Sequence, residues 1–338
     1  MGQSKSAPWV NLASANTPLA RYCDKNIMNL PDYFTHHQPT RLSGDVIVRP
    51  VPEHRADQAL SEIYRDLKAT FGVPWVGVIT QAVAYYQPFF AEAWRRFSPS
   101  AKTHFFERAS DEIRLRSWEH MAQSFVIDGQ ANQLRAMGYS EREIAQINAV
   151  LDIFDYGNPK YLIFATAIKE GLLTGRSFGG SAKDARDSLP RSPICQIDPI
   201  PVMLEEHHAR GALSDVYADI KRTLQLPFIN SDYKAMARWP SYLEQAWAAL
   251  KPCIDTQLYQ AARLDIHQQA LAAVDGLPIA YRMSQADALQ AGLTDAEIDE
   301  LIRAISLFQW LLSGLVLNVT HFKLAINRLP SHREARKI

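Results

Sequence analysis

The sequence predicts an all-α protein of two tandem helical repeats, packed as an intrachain pseudo-dimer with a crevice between them as the expected place for a site. Three observations carry this. The chain repeats itself over most of its length, each copy spaces its apolar residues three and four apart, and no stretch alternates apolar and polar residues long enough to build a sheet. The repeat is read directly: Ala59-Leu60-Ser61-Glu62-Ile63-Tyr64-Arg65-Asp66-Leu67-Lys68-Ala69-Thr70 recurs as Ala212-Leu213-Ser214-Asp215-Val216-Tyr217-Ala218-Asp219-Ile220-Lys221-Arg222-Thr223. Without a gap, Pro74, Ala82, Ala84, Ala93-Trp94 and Pro99 then fall on Pro227, Ala235, Ala237, Ala246-Trp247 and Pro252. Further on, Gly138-Tyr139-Ser140-Glu141-Arg142-Glu143-Ile144 answers Gly292-Leu293-Thr294-Asp295-Ala296-Glu297-Ile298, and Pro50-Val51-Pro52 answers Pro199-Ile200-Pro201.

In chain order, residues 1–45 form an N-terminal extension of alternating polar and small residues, without the apolar stretch of a signal peptide. Its Met1-Gly2-Gln3-Ser4-Lys5-Ser6 matches a myristoylation pattern, but so short a match is common by chance. Repeat 1 spans 46–175. Val46-Ile47-Val48 is its best strand candidate and ends at a proline. Leu60, Ile63, Tyr64, Leu67 and Phe71 lie on one face of a helix, as do Leu213, Val216, Tyr217, Ile220 and Leu224 in repeat 2, which spans 195–328. Ser140-x-x-Glu143 and Thr294-x-x-Glu297 are capping boxes, in which hydroxyl and carboxylate satisfy the free backbone donors of a helix start. Asn158-Pro159 is expected to interrupt a long helical region, because proline removes a backbone donor. Gly175 to Arg191 is rich in glycine and serine and reads as an exposed, flexible connection, with the linker placed at 176–194. A short tail, 329–338, closes the chain.

Composition excludes several functions. Thirty-six basic residues balance thirty-six acidic ones, so no net field is available to hold nucleic acid or an anionic membrane surface. The longest apolar run, Leu307 to Leu317, is too short to span a bilayer. Cys23, Cys195 and Cys253 are far apart and form no CxxC pair, which fits a reducing, cytoplasmic setting and neither a disulfide framework nor a zinc site. Glu205-Glu206-His207-His208 has the residue types of a metal site without its spacing, and His36-His37 sits in a proline-flanked tail, so no metal is expected. Phosphate loops, nucleophile elbows and dinucleotide fingerprints are absent.

In a duplicated chain, positions kept in both copies serve the shared fold, and polar residues present in one copy are candidates for a task done once. Phe228-Ile229-Asn230-Ser231-Asp232-Tyr233 is matched by Trp75-Val76-Gly77-Val78-Ile79-Thr80, so Asp232 stands where repeat 1 has isoleucine. Helix capping accounts for Asn230, Ser231 and Asp232 equally well, with a helix running on through Lys234 to Leu250. If Asp232 points into the crevice, apolar neighbours such as Phe228, Trp75 and Tyr233 raise its pKa and make it a general base, while backbone donors at the helix start hold a carboxylate. A second asymmetric patch, Asp155-Tyr156-Gly157-Asn158-Pro159-Lys160-Tyr161, faces Gln309-Trp310-Leu311-Leu312-Ser313-Gly314-Leu315. Asn158 is either a cap at a kink or an amide that orients water. Thr103 and Glu107 share a helix face, their counterparts being Thr256 and Gln260, although that spacing also describes a solvated face.

With Leu-Pro-Phe-Ile-Asn-Ser-Asp-Tyr-Lys-Ala-Met-Ala-Arg-Trp-Pro at 226–240, the duplicated Tyr-x-Asp-x-Lys-x-Thr helices and Asn158-Pro159-Lys160-Tyr161 in view, residues 46–328 resemble the group I 2-haloacid dehalogenases. The resemblance implies an all-helical enzyme of two related halves, needing neither metal nor organic cofactor and able to form a homodimer. An aspartate deprotonates water, which attacks the halogen-bearing carbon of a small carboxylic acid with inversion and without an ester intermediate. By position Asp232 matches that base and Asn158 the asparagine that holds the water. Ser231, Tyr161 and Trp75 match pocket residues, and Thr103 and Glu107 match a threonine and a glutamate important to the family. Asn230, two before the aspartate, resembles D-specific members. Two other readings remain: a helical binding protein for small carboxylates in which Asp232 is only a cap, and an AhpD-like redox protein, which the missing CxxC disfavours.

Overall fold

A computed structural model describes residues 46–180, 189–190 and 200–327. The N-terminal extension, the C-terminal tail, most of the linker, Cys23, Cys195 and His36-His37 lie outside the described residues. Twelve α-helices and no strand occur among them. Val46-Ile47-Val48 adopts no regular structure, and pairing is confined to the isolated bridges Thr103–Pro190 and Phe178–Tyr281.

The helix order occurs twice. After a 3-10 turn at Glu53–Arg55 come α1 (Gln58–Phe71), α2 (Val78–Val83), α3 (Gln87–Ala101), α4 (His104–Ser124), α5 (Ala131–Ala136) and α6 (Glu141–Thr174). After a second such turn at Glu206–His208 come α7 (Ala212–Leu224), α8 (Ser231–Met236), α9 (Pro240–Ile254), α10 (Gln257–Asp275), α11 (Gln285–Gln290) and α12 (Asp295–Asn327). The expected helix from Lys234 to Leu250 is in fact two, because Pro240 opens α9 at its first turn, where a missing N–H costs nothing. Both capping boxes form as expected, at Ser140 with Glu143 and at Thr294 with Glu297.

The duplicated Tyr-x-Asp-x-Lys motif is explained by packing. Tyr64 donates to the Val51 carbonyl at 2.7 Å and Tyr217 to that of Leu204 at 2.8 Å. Asp66 accepts from the Trp94 indole at 2.9 Å and Asp219 from that of Trp247 at 2.8 Å. Lys68 and Lys221 pair with Glu53 and Glu206 in the 3-10 turns. Each motif thus ties its helix to the incoming chain and to the second helix beyond.

The centre is the pair α6 and α12, which pack on one another along much of their length. Two bonds join them at related positions: Lys323 donates to Asp155 at 2.6 Å, part-buried, and Lys169 to Gln309 at 2.7 Å, buried. Burial holds the Lys169 ammonium below the usual lysine range, with Glu170 opposing the shift. The run Leu307–Leu317 is part of α12, which is long and apolar enough to cross a membrane. Yet 78% of its apolar window is buried in the protein, as in a core helix. The start of the linker is pinned, not free: Phe178 is buried and exchanges backbone bonds with Tyr281 at 2.8 and 2.9 Å. Gly179 has φ of 67°, and a Cβ there would lie 2.1 Å from the Leu277 carbonyl oxygen, so only glycine passes.

Candidate active site

Asp232 is the second residue of α8 and is 4% exposed, in a six-residue helix that packs against α6 and α9. Local contacts hold its loop in place. The Ile229 N–H donates to Glu206 at 2.7 Å, Lys234 donates to Glu205 at 2.6 Å, and the Leu204 N–H donates to the Lys234 carbonyl at 3.0 Å. Glu205 and Glu206 are therefore braces for this loop, and no metal-binding cluster occurs among the described residues.

Asn158 comes from the middle of α6 and is 3% exposed. The helix continues through Pro159 without the expected interruption. The residue before it permits an unusually close approach of the Trp75 loop to α6: a Cβ on Gly157 would stand 2.3 Å from the Trp75 ring. Asn158 Nδ2 donates to Asp232 Oδ1 at 2.7 Å, joining the two asymmetric patches. Burial pushes the Asp232 carboxyl up to about 6, against the opposing pull of the Asn158 amide and its own backbone N–H.

These two groups line a small cavity shared by both halves. Trp75, Tyr161, Gly77 and the first residues of α2, Val78 and Ile79, come from the first half, and Asn230 and Ser231 from the second, while Phe308, Leu312 and Leu315 of α12 supply an apolar wall. The room for water centres is about 20 Å³, enough for one water. Tyr161 donates to the Trp75 carbonyl at 2.7 Å, so its hydroxyl fixes the tryptophan loop. Asn230 occupies the N-cap position but makes no side-chain cap bond, and its Oδ1 is buried without a hydrogen-bond partner. Capping does not explain it.

Three expected site residues are placed elsewhere. Tyr233 turns away from the cavity into the second half, where its hydroxyl accepts from Asn318 at 2.9 Å and its ring meets Trp247 edge-on. Thr103 is the N-cap of α4, accepting from the Phe106 N–H and donating to the Ser100 carbonyl. Glu107 pairs with the buried ammonium of Lys160 at 2.9 Å. Phe228 stacks on Phe308 behind the apolar wall and is not a cavity neighbour of Asp232. Phe308, Leu312 and Leu315 escaped the sequence reading because an apolar residue in an apolar helix carries no sign of which face meets a cavity.

A buried carboxylate just below neutrality, steadied by an amide over a water-sized space, suits activation of water. The sequence model of a family described as "Halocarboxylic acid dehydrogenase DehI" matches residues 74–233, which include both groups. The chain is 80% identical over 296 residues to an (R)-2-haloacid dehalogenase of Pseudomonas putida, covering 88% of this chain and 98% of that one. A configuration-inverting 2-haloacid dehalogenase of Alcaligenes xylosoxydans xylosoxydans is 28% identical over 300 residues, 87% of this chain and 94% of that one. The solved structure of a D-2-haloacid dehalogenase in complex with L-LA superposes with a TM-score of 0.81 at 81% identity, over 83% of this chain and 97% of that one. With four-fifths of 296 aligned residues shared across nearly the whole of such an enzyme, the chain belongs to the family of the 2-haloacid dehalogenases, hydrolases that act on carbon–halogen bonds.

Proposed function

We propose that this chain hydrolyses short 2-haloalkanoic acids such as 2-chloropropionate, preferring the D enantiomer, to 2-hydroxy acids with inversion. Water in the cavity gives a proton to Asp232 while its oxygen forms a bond to the α carbon. The carbon–halogen bond breaks on the opposite face and its electron pair leaves with the halide. Asn158 Nδ2 holds the carboxylate by one hydrogen and has a second for the water. The apolar wall keeps competing waters out and holds the base near the pH at which it works. The observation that carries this reading is the 2.7 Å bond between Asn158 and Asp232, polar groups that each half supplies only once.

The D preference is supported by the name of the Pseudomonas putida relative and by Asn230, whose side chain takes up room beside Asp232. Chloride release from each enantiomer of 2-chloropropionate tests it: equal rates would refute the preference. A single turnover in 18O-labelled water tests the route. Label is expected in the hydroxy acid and not in the enzyme. Label in the Asp232 carboxylate would show that the aspartate itself had attacked carbon.

A further inference from the structure

Lys160 stands two residues after Asn158 and one before Tyr161, and its side chain is fully buried. The ammonium donates to the Phe71 carbonyl at 2.8 Å and to both Glu107 oxygens at 2.9 and 3.1 Å, and it lies 3.5 Å from the centre of the Tyr156 ring. Phe71 is the last residue of α1, after which the chain turns through Gly72 into the loop bearing Trp75. Tyr161, the next residue of α6, bonds the Trp75 carbonyl of that same loop. Two consecutive residues of α6 therefore tie the helix that carries Asn158 to the loop that forms the opposite wall of the cavity.

The second half shows what the fold alone requires. The repeat places Gly314 opposite Lys160, Trp310 opposite Tyr156 and Gln260 opposite Glu107. There the cation over the ring is Arg263 of α10, 4.0 Å from the Trp310 ring and bonded to the Trp310 carbonyl at 2.9 and 3.1 Å, while Gln260 turns to the Ile254 carbonyl. Both halves put a cation on this aromatic ring. Only the first takes it from the helix that bears the asparagine, spends it on the carbonyl before the Trp75 loop, and supplies a carboxylate from a helix that Thr103 caps. A buried ammonium needs such a partner, since its desolvation is costly when unpaired.

Building on the proposed roles of Asp232 and Asn158, we infer that Lys160 is a positioning residue for that pair, and that Glu107, held by the Thr103 cap, serves the reaction through Lys160 without touching substrate. This accounts for an acidic residue in the service of an anionic substrate.

The test measures kcat, KM and Tm of the full chain with D-2-chloropropionate for Lys160→Met, Glu107→Gln, Lys160→Met/Glu107→Leu and Asp232→Asn. Both single variants are expected to lose about 100-fold in kcat, the effect of a misplacement of about 1 Å, with KM changed by no more than about threefold. The double variant replaces the ion pair by apolar groups and is expected to regain the parental Tm, while its kcat matches that of Lys160→Met. A parental kcat in Lys160→Met would overturn the inference, as would a further loss of about tenfold or more on adding Glu107→Leu, which would place Glu107 in the reaction itself. If Asp232→Asn keeps its activity, the proposed function falls and this inference with it. An inactive Asp232→Asn beside a parental Lys160→Met removes the inference alone.

Discussion

Replacing Asp232 by asparagine should abolish activity and yet stabilise the protein at neutral pH. The carboxyl is raised from an ordinary value of 3.8 to about 6 by burial, so the folded state holds its proton where the unfolded chain has released it. The sign follows: stability is lost as pH rises from about 4 through 6 and stays lost above. Linkage puts the loss at about 1 kcal/mol at about pH 4.5 and about 3 kcal/mol at about pH 7.5. Asparagine does not titrate and can still accept from Asn158, but its buried amide hydrogens lack an acceptor, at a cost of about 1 kcal/mol. The variant should therefore match the parent near about pH 4.5 and exceed it by about 2 kcal/mol at about pH 7.5. With an unfolding entropy near 0.7 kcal/mol/K for 338 residues, that is about 3 °C in Tm. Thermal unfolding of both proteins across this range is the assay. A stability difference that does not change with pH would refute the buried, raised carboxylate. The same group predicts that kcat/KM of the parent climbs with pH through about 6, since the base must be ionised.

Three further outcomes are expected. Asn230→Ala removes the side chain beside Asp232 and should shift the D-to-L rate ratio of 2-chloropropionate by about 10- to 200-fold, equivalent to ~1 to 3 kcal/mol of crowding; an unchanged ratio refutes its part in selectivity. Gly157→Ala puts a methyl 2.3 Å from the Trp75 ring and should cost about 1 to 3 kcal/mol by denaturant unfolding. It should also lower kcat, because Trp75 must leave the cavity wall. Tyr64→Phe and Tyr217→Phe each delete one equivalent hydrogen bond and should each cost about 1 kcal/mol with parental kcat, as expected of residues kept in both halves.

Most of the helical frame was legible in one dimension, for reasons that are local. Capping at Ser140 and Thr294 depends on residues three apart, and the faces of α1 and α7 on spacing within four. Repetition then separated Tyr64 and Asp66, which do the same work in both halves, from Asp232 and Asn158, which have no twin. Local rules also misled. Pro159 signalled a break, but packing against α12 and the Trp75 ring keeps α6 continuous, because the surrounding contacts outweigh one lost backbone bond. Adjacency in sequence suggests Tyr233 as a neighbour of the Asp232 carboxylate, but neighbours on a helix point about 100° apart and Tyr233 faces Asn318 instead.

Periodicity and duplication within the chain were sufficient for the helices, their twofold order and the identity of the unmatched carboxylate and amide, since each depends on residues close in sequence or on comparison of one half with the other. Tertiary packing alone set the raised carboxyl of Asp232, the freeing of Asn230 from capping and the partnership of Glu107 with Lys160. Burial and hydrogen bonding arise between residues as far apart as 158 and 232, and the dielectric around a charge depends on what surrounds it in space.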